Sequence, residues 1–458
     1  MHGRRRHRAP QNDAEGRSAR NMIEGLRDFL KRLEGRGELI RIRKEVDPRF
    51  EVAALIRDIQ QRRNQPVLFE RVKGSTLPIV SNTCGSYASV SAALGVEPRD
   101  LSRIWAERLT HAAALPSAEA VPGQYQPSSL GRLPICTHCE KDAGPYITAG
   151  IVAARDLETG LTNLSYHRMQ VIGDRELRLR LSPTGHLFEM QQRAERLGKA
   201  LPMAVLVGVA PTVMLAAAAR TNPGLTEVDL AAALAGEPFP LVRCPTLDLA
   251  IPEAEIVIEG EMLAGVRRPE GPFGEWMDYY VPVMDNHVLE VQHVWTRPDA
   301  MYYAIHSGSA EEIVLTSLPI NGDIYQAVKK WVPSVINVAC WPMIQFCVIQ
   351  MEKQYEGQPR KALLAAFGAE LTRILFAVVV DPDVDIYDPS DVIWAMTTRC
   401  RPDRDTFTIP DVPSFGRDPH QVHWGRLGID ATAPLQWPAE FERKKVPGSG
   451  QIRFEDYL

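Results

Sequence analysis

The segment TNLSYHRMQVIGDRELRLRLSPTGH, residues 162–186, decides how the middle of the chain folds. Its two parts, LSYHRMQVIG and ELRLRLS, have the composition and alternation of β-strands. Runs of the same kind surround it: YITAGIVAARD before it, then EIVIEGEML and HVLEVQHVW after it. The spacing of these short runs predicts a β-barrel or β-sandwich between about Tyr146 and His306.

The flanking regions have a different pattern of hydrophobic residues. In IEGLRDFLKRLEGRGELIRI, Leu26, Phe29, Leu30 and Leu33 share one face of a helix, and a strand follows. A second helix is predicted in VAALIRDIQQR, and alternating helices and strands return after Ile313. The fold class is therefore a multidomain α/β (α+β) protein. We expect a disordered tail at 1–21, an N-terminal α/β domain at 22–110, a β-rich domain at 111–311 and a C-terminal α/β domain at 312–458.

Composition limits the possible partners. The 458 residues carry 52 basic and 57 acidic side chains, a net charge of -5, which favours a small-molecule partner over nucleic acid. Seven cysteines without regular spacing favour a reducing compartment, so we expect a cytoplasmic protein. The longest uncharged stretch, Ala200–Ala219, contains prolines and a glycine and is typical of a buried strand that turns into a helix. No membrane segment is predicted.

Two local motifs are weak metal signals. CTHC, at Cys136 to Cys139, has the spacing of half a zinc site, but no second pair stands at a zinc-finger distance. DPDVDIYDPSD begins like a calcium loop, yet its sixth and twelfth positions are Ile386 and Val392 instead of Gly and Glu. We predict ordinary loop cysteines at the first motif, and a strand end followed by a turn at the second.

The segment EGPFGE places Glu270 and Glu275 around a turn rich in Gly and Pro. Two carboxylates five residues apart can share a pocket only if the backbone between them turns. Taken alone, the motif is more typical of a surface turn with two solvated acids. The same caution holds for Asn163, His167, Arg168 and His186, placed in or between the two strands above, and for Glu227, an acid that a helix N-terminus would favour.

The order and spacing of these residues resemble the UbiD family of prenylated-FMN-dependent (de)carboxylases. The resemblance extends from Met22 to the C-terminus. It is carried by the segments LRDFLKRLEGRGELIRI, DAGPYITAGIV, GLTNLSYHRMQ, AEIVIEGEM, EGPFGEWMDYY, DPDVDIYDPSDVIWAMTTRCRPDRD and RLGIDAT. It implies an N-terminal α/β domain, a central FMN-binding split β-barrel and a C-terminal α/β domain that forms homodimers or homohexamers.

The resemblance also implies a cofactor site. Asn163, His186 and Glu227 would be ligands of a Mn2+ ion that holds the phosphate of prenylated FMN. The cofactor strand would add Leu164, Ser165, Tyr166, Arg168 and Gln170, and Arg426 would contact the phosphate where the family usually has a lysine. A K+ ion is possible, and a flavin prenyltransferase would supply the cofactor. Carboxylate, amide and imidazole ligands suit manganese.

Arg168, Glu270 and Glu275 would be the catalytic set. The resemblance implies reversible non-oxidative decarboxylation of an aromatic, heteroaromatic or α,β-unsaturated acid: Arg168 and Glu270 position the carboxylate, and Glu275 donates the proton. An apolar wall from Phe273, Trp276 and Met277 would keep Glu275 neutral. Two alternatives remain open: a non-catalytic flavin- and metal-binding subunit of a carboxylase assembly, and a flavin-independent hydrolase that uses Glu270 and Glu275 as an acid/base pair.

Overall fold

The computed structural model describes residues 25–110, 120–221, 224–414, 423–436, 439–448, 452 and 457. The tail predicted at 1–21 lies outside the described residues. Within them, the order of elements is α/β, then β-rich, then α/β, which confirms the predicted fold class. No helix in these described ranges is long and apolar enough to cross a membrane.

The N-terminal unit is a small sheet covered by helices. Its helices are α1 (Leu26–Gly35), α2 (Glu51–Arg62), α3 (Tyr87–Leu94) and α4 (Leu101–Thr110), and its strands are β1 (Ile40–Ile42), β2 (Val67–Phe69) and β3 (Ile79–Ser81). The four apolar residues predicted on one face of α1 are all buried. A later strand, Tyr302–Tyr303 (β18), pairs with β3 and completes the order β1-β2-β3-β18.

The central region contains β4 to β17 and three helices. The strands are Val121–Pro122, Gln126–Ser128, Tyr146–Ile147, Ile151–Arg155, Thr162–Tyr166, Met169–Ile172, Glu176–Leu179, Leu201–Val209, Leu241–Arg243, Ala250–Pro252, Ala254–Glu270, Phe273–Gly274, Tyr280–Val281 and Met284–Thr296. The helices are α5 (His186–Arg196), α6 (Pro211–Ala217) and α7 (Glu227–Ala235). As predicted, the uncharged stretch at 200–219 is a buried strand followed by a helix.

Nine of these strands form one antiparallel sheet. Its order is β6-β9-β10-β17-β14-β11-β7-β8, and β5 pairs with β17. The long strand β14 shifts register against β17 at Glu259/Gly260 and between Met262 and Arg267. A side chain at Gly260 would come within 2.2 Å of the Glu290 carbonyl oxygen, so only glycine fits this close approach. Past these irregularities, β14 ends at Glu270.

The C-terminal unit is a five-stranded mixed sheet with helices. Its elements are α8 (Ala310–Trp331), β19 (Val335–Cys340), β20 (Phe346–Met351), α9 (Gln358–Ala369), β21 (Phe376–Val380), α10 (Pro389–Thr398), β22 (Thr406–Pro413) and β23 (His423–Ala431), and the strand order is β19-β20-β21-β23-β22. The segment DPDVDIYDPSD, which only begins like a calcium loop, starts directly after β21 and runs into α10. Its Asp381 and Asp383 pair with Arg399. Hydrogen bonds to the N-terminal unit, such as Tyr387 Oη to Pro98 O at 2.8 Å, hold this unit in place.

Candidate active site

One guanidinium joins the two glutamates of EGPFGE. Arg168 lies between β8 and β9, and its Nε and Nη2 donate to the two oxygens of Glu270, each at 3.1 Å. The third nitrogen, Nη1, contacts Glu275 Oε1. The Glu270 side chain is fully buried, while those of Arg168 and Glu275 keep 11% and 14% exposure. The structure therefore brings the three predicted catalytic residues together, with Glu270 fully buried and Glu275 more exposed to solvent.

Glu270 receives two further hydrogen bonds. The Tyr146 hydroxyl on β6 donates to Oε1 at 3.0 Å, and Asn286 Nδ2 on β17 donates to Oε2 at 2.8 Å. A buried carboxylate is stable in its charged form only when donors compensate the lost hydration. Four donors, two of them from the Arg168 guanidinium, therefore hold the Glu270 carboxylate in place. Sequence reasoning missed Tyr146 and Asn286 because they lie on other strands, far from Glu270 in the chain.

The segment that carries Glu275 is held at both ends. Asp142 Oδ1 accepts a hydrogen bond from Gly274 N at 2.8 Å, and Tyr279 O accepts one from Glu275 N at 2.9 Å. Asp278 N donates to Glu275 O at 2.9 Å and closes a turn. Gly271 has φ of 100°, a conformation that favours glycine. The predicted turn between the two carboxylates is thus present.

The apolar residues of this segment face different neighbours. The Phe273 ring packs against that of Tyr146, with centroids 4.5 Å apart and planes tilted by 44°, and the Arg168 guanidinium lies 5.0 Å from the centre of the Phe273 ring. Trp276 instead packs against the core of the C-terminal unit. Met277 Sδ accepts a hydrogen bond from Gln345 Nε2 in that same unit. Of the three residues expected to form the apolar wall, Phe273 contacts Arg168, and the other two join the segment to the C-terminal unit.

Two of the predicted metal ligands, Asn163 and Glu227, are neighbours at β8. Glu227 is the first residue of α7, and its Oε2 accepts a 2.8 Å hydrogen bond from Leu164 N, directly after Asn163. Burial raises the pKa of Glu227, while the hydrogen bond from Leu164 and the nearby His186 oppose that shift. The prediction that His186 lies in or between the two strands is wrong. His186 is the first residue of α5, because the Ser-Pro-Thr-Gly turn at 182–185 ends the preceding strand.

These donors fit a hard divalent ion. Asn163 Nδ2 donates to Ser165 Oγ at 2.8 Å, which leaves the amide oxygen as the atom that can bind a metal. Each Glu227 oxygen accepts one hydrogen bond and keeps a further lone pair. The described residues hold no group of three or more His, Cys, Asp or Glu side chains placed for a metal ion. The predicted set includes only two residues of those types, and an amide completes it.

The remaining predicted cofactor residues follow the same two strands. Ser165 Oγ bridges Asn163 and His167, whose Nε2 lies 3.0 Å away. Gln170 Oε1 accepts a hydrogen bond from Gly271 N at 3.1 Å, so it supports the turn between the two glutamates. The Tyr166 hydroxyl is buried without a hydrogen-bond partner. The segment from β8 to β9 thus links Asn163, a predicted metal ligand, to Arg168.

The structure does not bring Arg426 together with this group. Its side chain is buried in the C-terminal unit on β23, where its nitrogens donate to the carbonyl oxygens of Leu371, Pro413, Trp424 and Gly425. Desolvation lowers the pKa of Arg426. Its predicted contact with a cofactor phosphate would require these backbone hydrogen bonds to be exchanged.

The chain matches three family models in succession. They are described as the N-terminal domain, the Rift-related domain and the C-terminal domain of 3-octaprenyl-4-hydroxybenzoate carboxy-lyase, and they match residues 30–109, 111–310 and 313–431. The chain therefore belongs to the UbiD family, and it is a carboxy-lyase. This confirms the resemblance noted in the sequence.

Individual relatives agree with this assignment. Anhydromevalonate phosphate decarboxylase of Methanothermobacter thermautotrophicus is 34% identical over 428 residues, which cover 91% of this chain and 99% of the relative. The UbiD-class enzyme HmfF from Pelotomaculum thermopropionicum, solved in complex with FMN, superposes with a TM-score of 0.87 at 40% identity, over 95% of this chain and 100% of that one. Klebsiella pneumoniae 3,4-dihydroxybenzoic acid decarboxylase gives a TM-score of 0.85 at 26% identity, over 95% and 99%.

Proposed function

We propose that this chain is a prenylated-FMN-dependent decarboxylase of an aromatic, heteroaromatic or α,β-unsaturated carboxylic acid. The observation that carries the proposal is the division of one guanidinium, Arg168, between a fully buried carboxylate, Glu270, and a more accessible one, Glu275. The likeness to solved UbiD-class enzymes in complex with FMN and prFMN supports the cofactor. Mn2+, held by Asn163, His186 and Glu227, and a K+ ion beside the phosphate belong to the same proposal.

The cofactor answers a chemical need. Loss of CO2 from an sp2 carbon leaves an electron pair that no protein side chain can accept, and the modified flavin ring supplies that electron sink when bound. The chain supplies position and charge. Asn163 is on β8 and Arg168 follows five residues later, just before β9, so their Cα atoms are at most roughly 17 Å apart, at about 3.3 Å per residue. One flat cofactor can span that distance.

Arg168 and Glu275 have complementary tasks. The substrate carboxylate and Glu275 would compete for the Nη1 side of Arg168, because Glu270 already occupies Nε and Nη2. When the substrate anion takes that position, its negative charge favours the protonated form of Glu275. Glu275 then holds a proton on its carboxyl group beside the reacting carbon and can donate it there after CO2 leaves.

The geometry argues against the hydrolase alternative. An acid/base pair needs two carboxyl groups that can each gain and lose a proton. Glu270 is buried and accepts four hydrogen bonds, including two from Arg168. Its two oxygens are therefore already occupied by protein donors. The non-catalytic subunit alternative requires no turnover, and release of CO2 separates it from the proposal.

The first experiment co-expresses the chain with a flavin prenyltransferase. We expect the purified protein to carry modified flavin, seen by its absorbance and mass, and one manganese per chain. A panel of unsaturated acids is then screened for CO2 release. Cofactor and metal bound without release from any acid would favour the non-catalytic subunit. Purified protein that carries neither modified flavin nor manganese would overturn the proposal.

The second experiment tests the proton donor. Glu275→Gln is expected to bind cofactor and metal as the wild type does but to lose turnover and solvent-deuterium exchange at the product carbon. Glu290→Gln, a change on the β17 strand outside the site, is the matched control and should leave both unchanged. Normal exchange in Glu275→Gln would remove Glu275 from this role. Gel filtration with light scattering would test the expected homodimer or homohexamer.

A further inference from the structure

Two stacked histidines lie beside the Glu275 segment without hydrogen-bond partners for most of their ring nitrogens. His138 and His306 have ring centroids 5.6 Å apart and rings tilted by 23°. Their residues are 6% and 9% exposed. Both nitrogens of His138 and Nδ1 of His306 are buried and make no hydrogen bond. A buried polar atom without a partner is destabilising, so a group that satisfies these nitrogens would be favoured there.

The pair is attached to the catalytic segment from two sides. The backbone N–H groups of His138 and Cys139 donate to Asp142 Oδ2, while Oδ1 of the same carboxylate holds Gly274 N, next to Glu275. The Cys139 side chain lies so close to Gly274 that a Cβ there would be 2.8 Å from its sulfur. His138 is therefore fixed relative to Glu275 by one carboxylate and one tight contact.

His306 reaches the same segment from the other side. It precedes the turn at 307–308, and a Cβ on Gly308 would meet Trp276 O and Asp278 Oδ1, both at 3.4 Å. Glu312 fixes that turn, since its Oε2 accepts hydrogen bonds from Gly308 N at 2.6 Å and Ser307 Oγ at 3.2 Å. Burial raises the pKa of Glu312, and the charge of Arg168 is among the effects that oppose this shift, so the turn lies within electrostatic reach of Arg168.

Burial also determines the charge of the pair. Desolvation and the neighbouring His306 lower the pKa of His138 to about 3. Desolvation and the charge of Arg57 lower the pKa of His306 to about 4, against an opposing effect of Asp278. At neutral pH both rings are uncharged, and each has one N–H donor and one acceptor nitrogen. Such a pair suits a neutral hydrogen-bonding group better than a second carboxylate or phosphate.

We propose that His138 and His306 form a substrate subsite that recognises a neutral polar group, a hydroxyl or a ring heteroatom, on the acid whose carboxylate meets Arg168. The inference rests on the proposed function, because it assumes that the acid binds between Arg168 and Glu275. It restricts the substrate to oxygen- or nitrogen-bearing acids and disfavours purely hydrocarbon ones. The discrimination arises because a hydrocarbon ligand would leave the buried nitrogens unsatisfied.

The test uses matched pairs of acids that differ only in the polar group, such as hydroxycinnamic and cinnamic acid, hydroxybenzoic and benzoic acid, and furan- and cyclopentadiene-type analogues. Equilibrium binding to the cofactor-loaded protein is measured by calorimetry, and CO2 release is measured separately. The wild type is expected to bind the polar member of at least one pair about tenfold more tightly. His138→Phe and His306→Phe should abolish that preference, and His138→Gln should retain part of it.

His287 supplies the control. It is similarly buried, and both its ring nitrogens lack hydrogen-bond partners. It lies on β17, and its ring packs against Phe188 of α5. His287→Phe should leave the preference for polar acids unchanged, and circular dichroism should show all variants folded. Equal binding within every pair, or a preference unaffected by the His138 and His306 variants, would mean that buried water alone occupies the pair and would overturn the inference. A histidine-dependent preference in binding without CO2 release would support the subsite while contradicting the proposed decarboxylation.

Discussion

The Tyr146 hydroxyl donates a 3.0 Å hydrogen bond to Glu270 Oε1, across 124 positions of the chain. Tyr146 begins β6 at one end of the nine-stranded sheet, and Glu270 is the last residue of β14. The Tyr146 ring also packs on Phe273, which in turn lies under the Arg168 guanidinium. One aromatic side chain therefore supports the buried carboxylate both by hydrogen bonding and by packing.

Tyr146→Phe should weaken this support. The change removes one of four donors to a buried anion, and hydrogen bonds to charged groups contribute about 1.5–3 kcal/mol. We expect the urea midpoint to fall and kcat to drop by about tenfold or more. Tyr302→Phe is the matched control, because the Tyr302 hydroxyl is buried without a partner. It should not lower stability. Equal losses in the two variants would contradict the role given to the Tyr146 hydrogen bond.

Arg168→Lys tests whether the planar guanidinium, which contacts both Glu270 and Glu275, is needed in addition to its positive charge. Lysine keeps the positive charge but cannot donate in parallel to both oxygens of Glu270 while reaching Glu275. We expect kcat/KM to fall by at least about a hundredfold, with a loss of stability, since Glu270 stays buried. Arg103→Lys, in a solvent-accessible pair with Glu107, should change neither quantity measurably. Near-normal kcat/KM in Arg168→Lys would show that charge alone is sufficient.

Periodicity was sufficient for elements that bury one face. The spacing of Leu26, Phe29, Leu30 and Leu33 predicts α1 correctly, because a helix repeats every 3.6 residues whatever surrounds it. The strand character of 162–186 is likewise confirmed, but LSYHRMQVIG, predicted as one strand, is two, β8 and β9, with a break at His167 and Arg168. Local pattern could not place His186, because the Pro and Gly before it end the strand region and allow a helix to begin.

The sequence suggested the main residues of the candidate site, but not the residues that hydrogen-bond to them. Arg168, Glu270 and Glu275 follow from a resemblance over the whole chain, and the structure joins them. Tyr146 and Asn286 become visible only when strand order is known, because no local pattern relates a tyrosine to a carboxylate on a distant strand. For the same reason, sequence alone could not show which neighbours Phe273, Trp276 and Met277 would meet.

Glu227→Gln should reduce metal binding. The variant keeps the shape of the side chain but removes the only carboxylate of the proposed metal set, and hard cations depend on ligand charge. We expect manganese affinity to fall by at least about tenfold, measured by metal analysis after dialysis. Asp229→Asn, in the same first turn of α7, is the control, because Asp229 only caps the helix with Thr226. Equal manganese content in wild type and Glu227→Gln would exclude Glu227 as a ligand.

Glu311 should make stability fall as pH rises toward neutrality. Burial raises its pKa from 4.5 to about 7, against the opposing hydrogen bonds from Tyr303 Oη and from the backbone N–H groups of Cys84 and Asn82. The folded state therefore binds the extra proton between these two pH values. Its contribution to the free energy of unfolding is complete below about pH 4.5 and is lost as pH rises through about 7, a change on the order of 3 kcal/mol.

The measurement compares urea unfolding of the wild type and Glu311→Gln at pH 5 and pH 8. Because glutamine does not ionise, the variant should lack this component of the pH dependence, so the stability difference between the two proteins should shift in favour of the variant at the higher pH. Glu352→Gln, at an exposed position, should follow the wild type at both pH values. A wild-type-minus-variant difference that is constant with pH would show that Glu311 keeps the same protonation state in the folded and unfolded chains.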